Sequence, residues 1–436
     1  MINSKVKYLS SKEDDFDKKL NEFLRIRNVS NIDIEKNVLE IINQVNIHGD
    51  SALITMVNKY DKIKCSNLEN IKIENKLLKK AFDDLPIDLK NAMKLASNRI
   101  KAFHEKQKLS GFDYVDEIGV NLGLKYSPIK RVGFYTPGGK ALYPSSVLMN
   151  AIPALVAGVE ERVLVSPINI EKSSEILLAA AYLAEVTEFY RMGGAQAIAA
   201  LAFGTEKLKK VDKIVGPGNA YVAEAKRQLF GKVGIDSVAG PSEVLIVADN
   251  KNNPEWIAID LLSQAEHDEN AQSILITNDE KFAKNVENQI VKLLETLPRK
   301  QIASSSWYNN GLILIIDHIN ECIDLINQIA PEHLELCIEN PKHYLDEINN
   351  AGSIFLGDYT PEAIGDYIAG PNHVLPTEGT ARFSSGLGTN DFLRRTTFVQ
   401  CNEHNLNDLG KHAEILAEAE GLDAHRMSIY ARRKDD

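Results

Sequence analysis

From about residue 130 onward, short apolar runs that stop at glycine or proline alternate with longer Ala/Leu-rich segments. "KRVGFYTPGG" reads as a strand entering a glycine turn, and "SSVLMNAIPALVAGV" as the helix that follows it. "RVLVSP", "SSEILLAAAYLAEV", "EFYRMGG", "AQAIAALAFG", "VDKIVGPGN" and "AYVAEAKRQLFG" continue the alternation. It restarts at residue 243 with "EVLIVAD", "PEWIAIDLLSQAEH", "SILIT", "DEKFAKNVENQIVKLLETL", "LILII", "LELCI" and "SIFL". Near-continuous apolar strands separated by helices predict parallel βαβ units, whose strands are buried on both faces. The expected fold class is α/β, with two tandem parallel-sheet (incomplete Rossmann-like) domains and small helical N- and C-terminal appendages. The first 110 or so residues read as a helical, charged lead-in without chemistry, and "NDLGKHAEILAEAEGL" as the closing helix. Open α/β sheets bind ligands beyond the carboxyl ends of their strands, so polar residues are expected in the loops after strands.

The totals narrow the classes. At 436 residues, 44% apolar and 25% charged, the chain has an ordinary globular composition. A formal net charge of −11 argues against a nucleic-acid partner, which wants a basic face. The longest apolar candidate, "SSVLMNAIPALVAGVEERVLV", is broken by Asn150, Pro153, Gly158 and charges, so no membrane span is expected. The polar, acidic start "MINSKVKYLSSKEDDFDKKL" is unlike a signal or transit peptide. Cys65, Cys322, Cys337 and Cys401 lack a C-x-x-C spacing, which suits free buried thiols in a reducing cytoplasm.

Six segments carry candidate chemistry. In "LLSQAEHDE", Gln264 and His267 are three apart and share a helix face, which fits half of a metal site or a solvated helix end. "GPGNAY" follows a strand and opens a helix, but Tyr221 replaces the third glycine of a dinucleotide fingerprint. "FYTPGGKALYPSS" offers a second glycine turn and Lys140. "IAPEHLEL" sets Glu332 beside His333, and only a loop would let both face one cleft, because neighbours on a strand point to opposite sides. "AIGDYIAGPNHVLPT" brackets Asp366, Tyr367 and His373 with turn residues, and "AEGLDAH" places Glu420 and His425 around a helix end at Gly421. Should the hard donors converge, Gln264, His267, Asp366 and His425 would suit zinc, manganese or cobalt.

Taken in order, "GGAQAIAALAFGT", "VDKIVGPGNAYVAEAK", "AGPSEVLIVAD", "LLSQAEH", "APEHLEL", "GDY…GPNHVLPT", "ARFSSGL" and "AEGLDAH" make the chain resemble the histidinol dehydrogenase family from about residue 130 to 430. The resemblance implies a cytoplasmic, zinc-dependent enzyme that oxidises L-histidinol to L-histidine through histidinaldehyde with two NAD, the last step of histidine biosynthesis. It implies one Zn2+ per subunit on Gln264, His267, Asp366 and His425, and Glu332 with His333 as the acid–base pair. By the same likeness the substrate would meet Ser242, Gln264, His267, His333, Asp366, Tyr367, His373, Glu420 and His425, and NAD would meet Tyr135, Gln196 and Asn219. The implied layout is an N-terminal helical segment (1–28), a metal- and substrate-binding domain (29–134 with 242–387), a nucleotide-contacting domain (135–241) and a C-terminal helical segment (388–436). That last segment is exchanged within a homodimer, so that His425 and Glu420 complete the partner's site. Ile259 and Asn252 stand where smaller residues are expected. Two rivals remain at this point: a metal-dependent hydrolase on the same scaffold, which needs no nucleotide site, and a non-catalytic binding protein.

Overall fold

The computed structural model describes residues 5–25, 32–138, 143–169 and 174–433. Among them the strands in chain order are β1 (Lys7–Ser10), β2 (Lys72–Ile73), β3 (Phe112–Val115), β4 (Asn121–Pro128), β5 (Arg131–Tyr135), β6 (Glu161–Val165), β7 (Glu188–Tyr190), β8 (Lys213–Val215) and β9 (Gly234–Ile235). They continue with β10 (Glu243–Ala248), β11 (Gln272–Thr277), β12 (Leu312–Ile315), β13 (His333–Cys337), β14 (Ser353–Leu356) and β15 (Leu393–Gln400). Two six-stranded sheets run β2-β7-β6-β5-β8-β9 and β1-β12-β11-β10-β13-β14. Apart from the antiparallel β2–β7 pair, both are parallel throughout.

Counted from β5 and from β10, the two sheets share one order, 3-2-1-4-5, the doubly wound arrangement in which a crevice opens where the winding reverses. Each sheet is buried on both faces, which is why its strands read as unbroken apolar runs. Val132, Phe134 and Leu164 pack to one side of the first sheet and Val163, Val165 and Ile214 to the other. In the second sheet Val244 and Ile246 face one cluster while Leu245, Val247 and Leu334 face another.

Three expectations are corrected. The strands of the stretch placed with 242–387 that enter a parallel sheet, β2 and β5, lie in the other one. β5 is the first strand of the 131–235 sheet, β2 is its edge, and the helix Ile32–Met56 lays Val38, Ile42, Val45 and Leu53 against Leu201 and Val222 of that half. The apolar stripe of that helix matched this face, and the face drew it in. The stretch before residue 29 is not only helical, since β1 extends the second sheet in parallel beside β12. The stretch after 388 begins with β15, which pairs antiparallel with β4 over eight residues, and β3 completes a small third sheet. "LRRTTFVQ" is rich in β-branched and aromatic residues, and Phe398 lies where any side chain at Gly123 would collide with its ring.

Arg131 ties the first sheet together laterally: its buried guanidinium meets Glu161 of β6 and Glu188 of β7, each at 2.5 Å. Arg131→Met leaves two carboxylates facing each other without the cation. It should destabilise the protein by about 3 kcal/mol, read as a lower midpoint in urea unfolding with an unchanged slope.

Candidate active site

One cavity of about 840 Å³ is lined by both α/β halves. The first half lines it as expected, with the turn after β8: Pro217, Gly218 and Asn219. The second half does the opposite and presents the amino ends of its strands. Ser242 precedes β10, Glu332 precedes β13, and His333 is the first residue of β13. The expectation that site residues follow strands thus holds for one sheet and is corrected for the other. Polar ties between the halves fix this register. Arg99 of the helix Ile87–Glu105 donates to the carbonyls of Ile368 and Ala369 at 2.7 and 2.9 Å, and Asn372 donates to that of Met149 at 2.6 Å.

Glu332 and His333 both face the cavity because the backbone leaves strand geometry just before them. Ala330 caps the helix Cys322–Ile329 in a left-handed conformation (φ 49°), and β13 starts only at His333. His333 Nδ1 lies 3.7 Å from Glu332 Oε2, 3.8 Å from Glu362 Oε1 and 3.1 Å from the Glu243 carbonyl. A carbonyl can only accept, so Nδ1 carries a proton. Nε2 is buried without a hydrogen-bond partner among the described residues, and Asp366 Oδ1 is 3.7 Å from it. Glu332 Oε2 is held by the Glu243 N–H at 2.8 Å.

Gln264 comes from the helix Pro254–Ala265, which Asn253 caps with its side chain ahead of Pro254. His267 is past the end of that helix, so the expected shared helix face is replaced by a turn. Its N–H reaches the Gln264 carbonyl at 3.2 Å, which keeps the two residues on one side. Asp366 sits in the wide π-helical turn Gly365–Ala369, directly after the short helix Glu362–Ile364. His267, Glu362 and Asp366 bring one ligand atom each within 4.8 Å of the others. With its amide oriented to satisfy both partners, Gln264 donates to Glu362 at 2.7 and 3.0 Å. That leaves the amide oxygen as the atom available to a cation. Imidazole, carboxylate and amide oxygen without thiolate are the donors of zinc or another first-row divalent ion, and the residues fit one.

Glu362 was missed by the sequence reading. Its signal was there, since it stands four residues before Asp366, the spacing of one helical turn. His425 and Glu420 are not brought to this cavity by their own chain. His425 is exposed on the helix Asp423–Tyr430, and Glu420 is the exposed C-cap of the helix Glu403–Ala419. Ser242, Tyr367 and His373 line the cavity, and His373 Nδ1 is 3.1 Å from the Asp366 carbonyl. Asn219 lines it too and caps the helix Ala220–Leu229. Tyr135 and Gln196 are buried together at the start of the helix Gly194–Phe203. The Tyr135 hydroxyl accepts from Gly194 N–H at 3.3 Å, and Gln196 donates to Asp61 at 3.3 Å. The N-terminal stretch, read as free of chemistry, therefore supplies Asp61 to this pair. Lys140 lies outside the described residues. The four cysteines are free, but only Cys322 and Cys337 are buried, which corrects the expectation of four buried thiols; Cys401 is exposed between β15 and the next helix.

Burial governs the electrostatics. It lifts Glu332 to about 8 and Glu362 to about 7, and it lowers His267 and His373. Burial also opposes the charged form of His333, but Glu362, Glu332 and Asp366 outweigh it and hold the imidazole well above its ordinary value. Asp366 is likewise pulled upward by burial, yet His333 and His373 keep it below the usual carboxylate range.

Parallel sheets meeting at a cavity that holds both a metal-donor cluster and a buried carboxyl–imidazole pair define an α/β enzyme. The family model described as histidinol dehydrogenase matches residues 25–433. Histidinol dehydrogenase 1 of Trichormus variabilis is 50% identical over 424 residues, covering 97% of this chain and 98% of that protein. The histidinol dehydrogenase of Nitrosomonas europaea is 49% identical over 428 residues, covering 98% and 99%. The crystal structure of histidinol dehydrogenase from Elizabethkingia anophelis superposes with a TM-score of 0.90 at 38% identity, covering 98% of each chain. The chain belongs to the histidinol dehydrogenase family, NAD-linked oxidoreductases that act on an alcohol.

Because Glu332 holds its proton more tightly folded than unfolded, its contribution to stability is full below about pH 4.5 and is lost as pH rises through about 8. Glu332→Gln does not titrate. On chelator-treated protein its melting temperature should therefore gain steadily on the wild type from pH 5 to 9, and a constant gap would contradict the assigned burial effect.

Proposed function

We propose that the protein oxidises L-histidinol to L-histidine through histidinaldehyde, using two NAD for each histidinol and one Zn2+ per subunit, as the last step of histidine biosynthesis in the cytoplasm. The observation that carries the reading is the buried Glu332–His333 pair beside a donor cluster, in a cavity whose far wall is a glycine turn opening a helix. When bound, Zn2+ would hold the substrate's imidazole and amine while NAD accepts the hydrides, a positioning and electrostatic contribution. Gln264, His267 and Asp366 would hold the ion, with His425 of a second copy as the fourth ligand.

The chain's own residues supply the proton chemistry. With Asp366 engaged by the ion, the His333 ring would be neutral and takes the hydroxyl proton of the alcohol on Nε2, while the Glu243 carbonyl fixes Nδ1–H and hence the ring's orientation. Glu332, neutral at rest because of its burial, gives its proton to solvent and then takes one from the water that adds to the aldehyde, while the His333 imidazolium returns its proton to the aldehyde oxygen, which completes the hydrate and frees the base. His333 deprotonates the resulting hydrate for the second oxidation. Asp366 and Glu362 stabilise the imidazolium formed each time. Ser242, Tyr367, His373 and the second copy's Glu420 would close around the substrate, and Tyr135, Gln196 and Asn219 would meet NAD. Retaining the aldehyde requires the site to stay shut between the two oxidations.

The exchange of C-terminal segments in a homodimer is supported by the exposure of Ile415, Leu416 and Met427, each at least 60% accessible, around the unplaced His425. Two experiments test the whole. NADH formed per histidinol consumed should be two, should vanish on chelation and should return with zinc. A ratio of one with free aldehyde would remove Glu332 from its role, and no NADH would sink the reading. Separately, inactive His333→Asn and inactive His425→Asn chains, refolded together, should recover about a quarter of wild-type activity, because each mixed dimer holds one intact site; no recovery would place His425 in its own chain's site.

A further inference from the structure

A second buried charge pair lies away from the acid–base centre, under the turn that lines the nucleotide end of the cavity. Lys226, in the last turn of the helix Ala220–Leu229, and Asp236, just after β9, are ion-paired with side chains 2% and 5% accessible. Both also grip one residue, Gly216. Lys226 Nζ donates to the Gly216 carbonyl at 3.0 Å, and the Gly216 N–H donates to Asp236 Oδ2 at 2.7 Å. Gly216 has φ 114°, and a Cβ there would collide with the Tyr135 carbonyl oxygen. Its two flanking peptide groups are thus clamped by opposite charges while its missing side chain lets β5 and β8 close up.

We propose that Lys226 and Asp236 are positioning residues for the dinucleotide. They set the path of Pro217, Gly218 and Asn219, and with it the position of the Asn219 side chain that caps the head of the helix Ala220–Leu229. An ion pair this deeply buried is a poor stabiliser, because desolvation offsets the attraction; what it does supply is a single fixed geometry. The atoms it fixes are the ones a pyrophosphate would meet at the end of β8, where a third fingerprint glycine is absent and Tyr221 stands instead. In the usual fingerprint, glycines alone let the backbone approach the phosphates. Here the clamp holds the turn from behind, and it does so through one glycine's carbonyl and amide. The inference rests on the reading that this end of the cavity takes NAD.

The test is steady-state kinetics on zinc-loaded wild type, Lys226→Met, Asp236→Asn and the charge-free double variant Lys226→Met/Asp236→Leu, with melting temperature and zinc content measured alongside. The expected result is a rise of tenfold or more in the KM for NAD in Lys226→Met and in the double variant, with histidinol KM within twofold of wild type and zinc content unchanged. The double variant should melt higher than Lys226→Met, since two apolar groups replace an orphaned carboxylate, yet its NAD KM should stay high. A merely structural pair would show NAD KM returning to wild type as the melting temperature recovers, and that outcome overturns the proposal. Should either Met-containing variant fail to fold, Asp236→Asn decides alone: it keeps an acceptor for Gly216 and loses the charge, and an NAD KM within twofold of wild type would overturn the proposal. Absence of NADH from histidinol with the wild type would instead refute the functional reading.

Discussion

Three carboxyl groups, those of Glu332, Glu335 and Glu362, are buried around His333 with Asp366 half-buried beside them, and among the described residues the ion pairs they make are with imidazoles. A region this acidic and this dry is unfavourable as it stands, because like charges in low dielectric push each other toward protonation. The upward displacement of Glu332 and Glu362 is that penalty made visible. A divalent cation is a charge that would relieve it, held by a donor cluster that leaves Glu332 out. On the proposed reading the metal and the Glu332–His333 pair would form one electrostatic unit, and removing the cation would alter the protonation of the pair even before any substrate arrives.

The same polar residues explain why the second half uses the amino ends of its strands. The helix Pro254–Ala265 precedes β11 and runs antiparallel to the sheet it covers, so its C-terminal turn, with Gln264, reaches the strands' amino edge. His333 and Glu335 alternate with Leu334 along β13, which turns both polar side chains to the helix side and the leucine to the other core. The first half offers its carboxyl edge in the ordinary way. Joining a carboxyl edge to an amino edge lets one cavity combine a helix start, suited to an anion, with a helix end and a carboxylate cluster, suited to a cation.

Periodicity alone made the two tandem parallel sheets legible, since doubly buried strands leave unbroken apolar runs. The pairing of distant segments was not legible. Nothing local in Ile32–Met56 says which sheet its stripe will cover, and β1 is four residues of ordinary composition that become a strand only because β12 has a free edge. β15 was lost to the helical texture around it. In the site, Gln264, His267, Glu332, His333, Asp366 and His373 were all visible as polar residues in apolar or turn-rich settings. Glu362 was not, because its helix is three residues long and it stood one position outside the turn-rich stretch that drew notice. Lys226 was hidden for the opposite reason: in "AYVAEAKRQLFG" it looks like any solvated helix lysine, and only the fold buries it.

The two buried polar devices differ in a way that assigns them different tasks. Lys226 and Asp236 cancel each other and satisfy the two peptide groups of Gly216, so this pair needs no ligand and gives a turn that is rigid before the cofactor arrives. The cluster around His333 does not cancel. It carries an excess of acid, an imidazole nitrogen without a partner and carboxyl groups poised near neutral pH. On the proposed reaction, a self-compensated device suits a part that would stay in place through two successive oxidations. An uncompensated one suits the part where protons would leave three times, twice from hydroxyl groups and once from water. The division would place rigidity at the cofactor's end of the cavity and titratable imbalance at the substrate's end, and that asymmetry follows from which charges the fold has paired and which it has left for a ligand to complete.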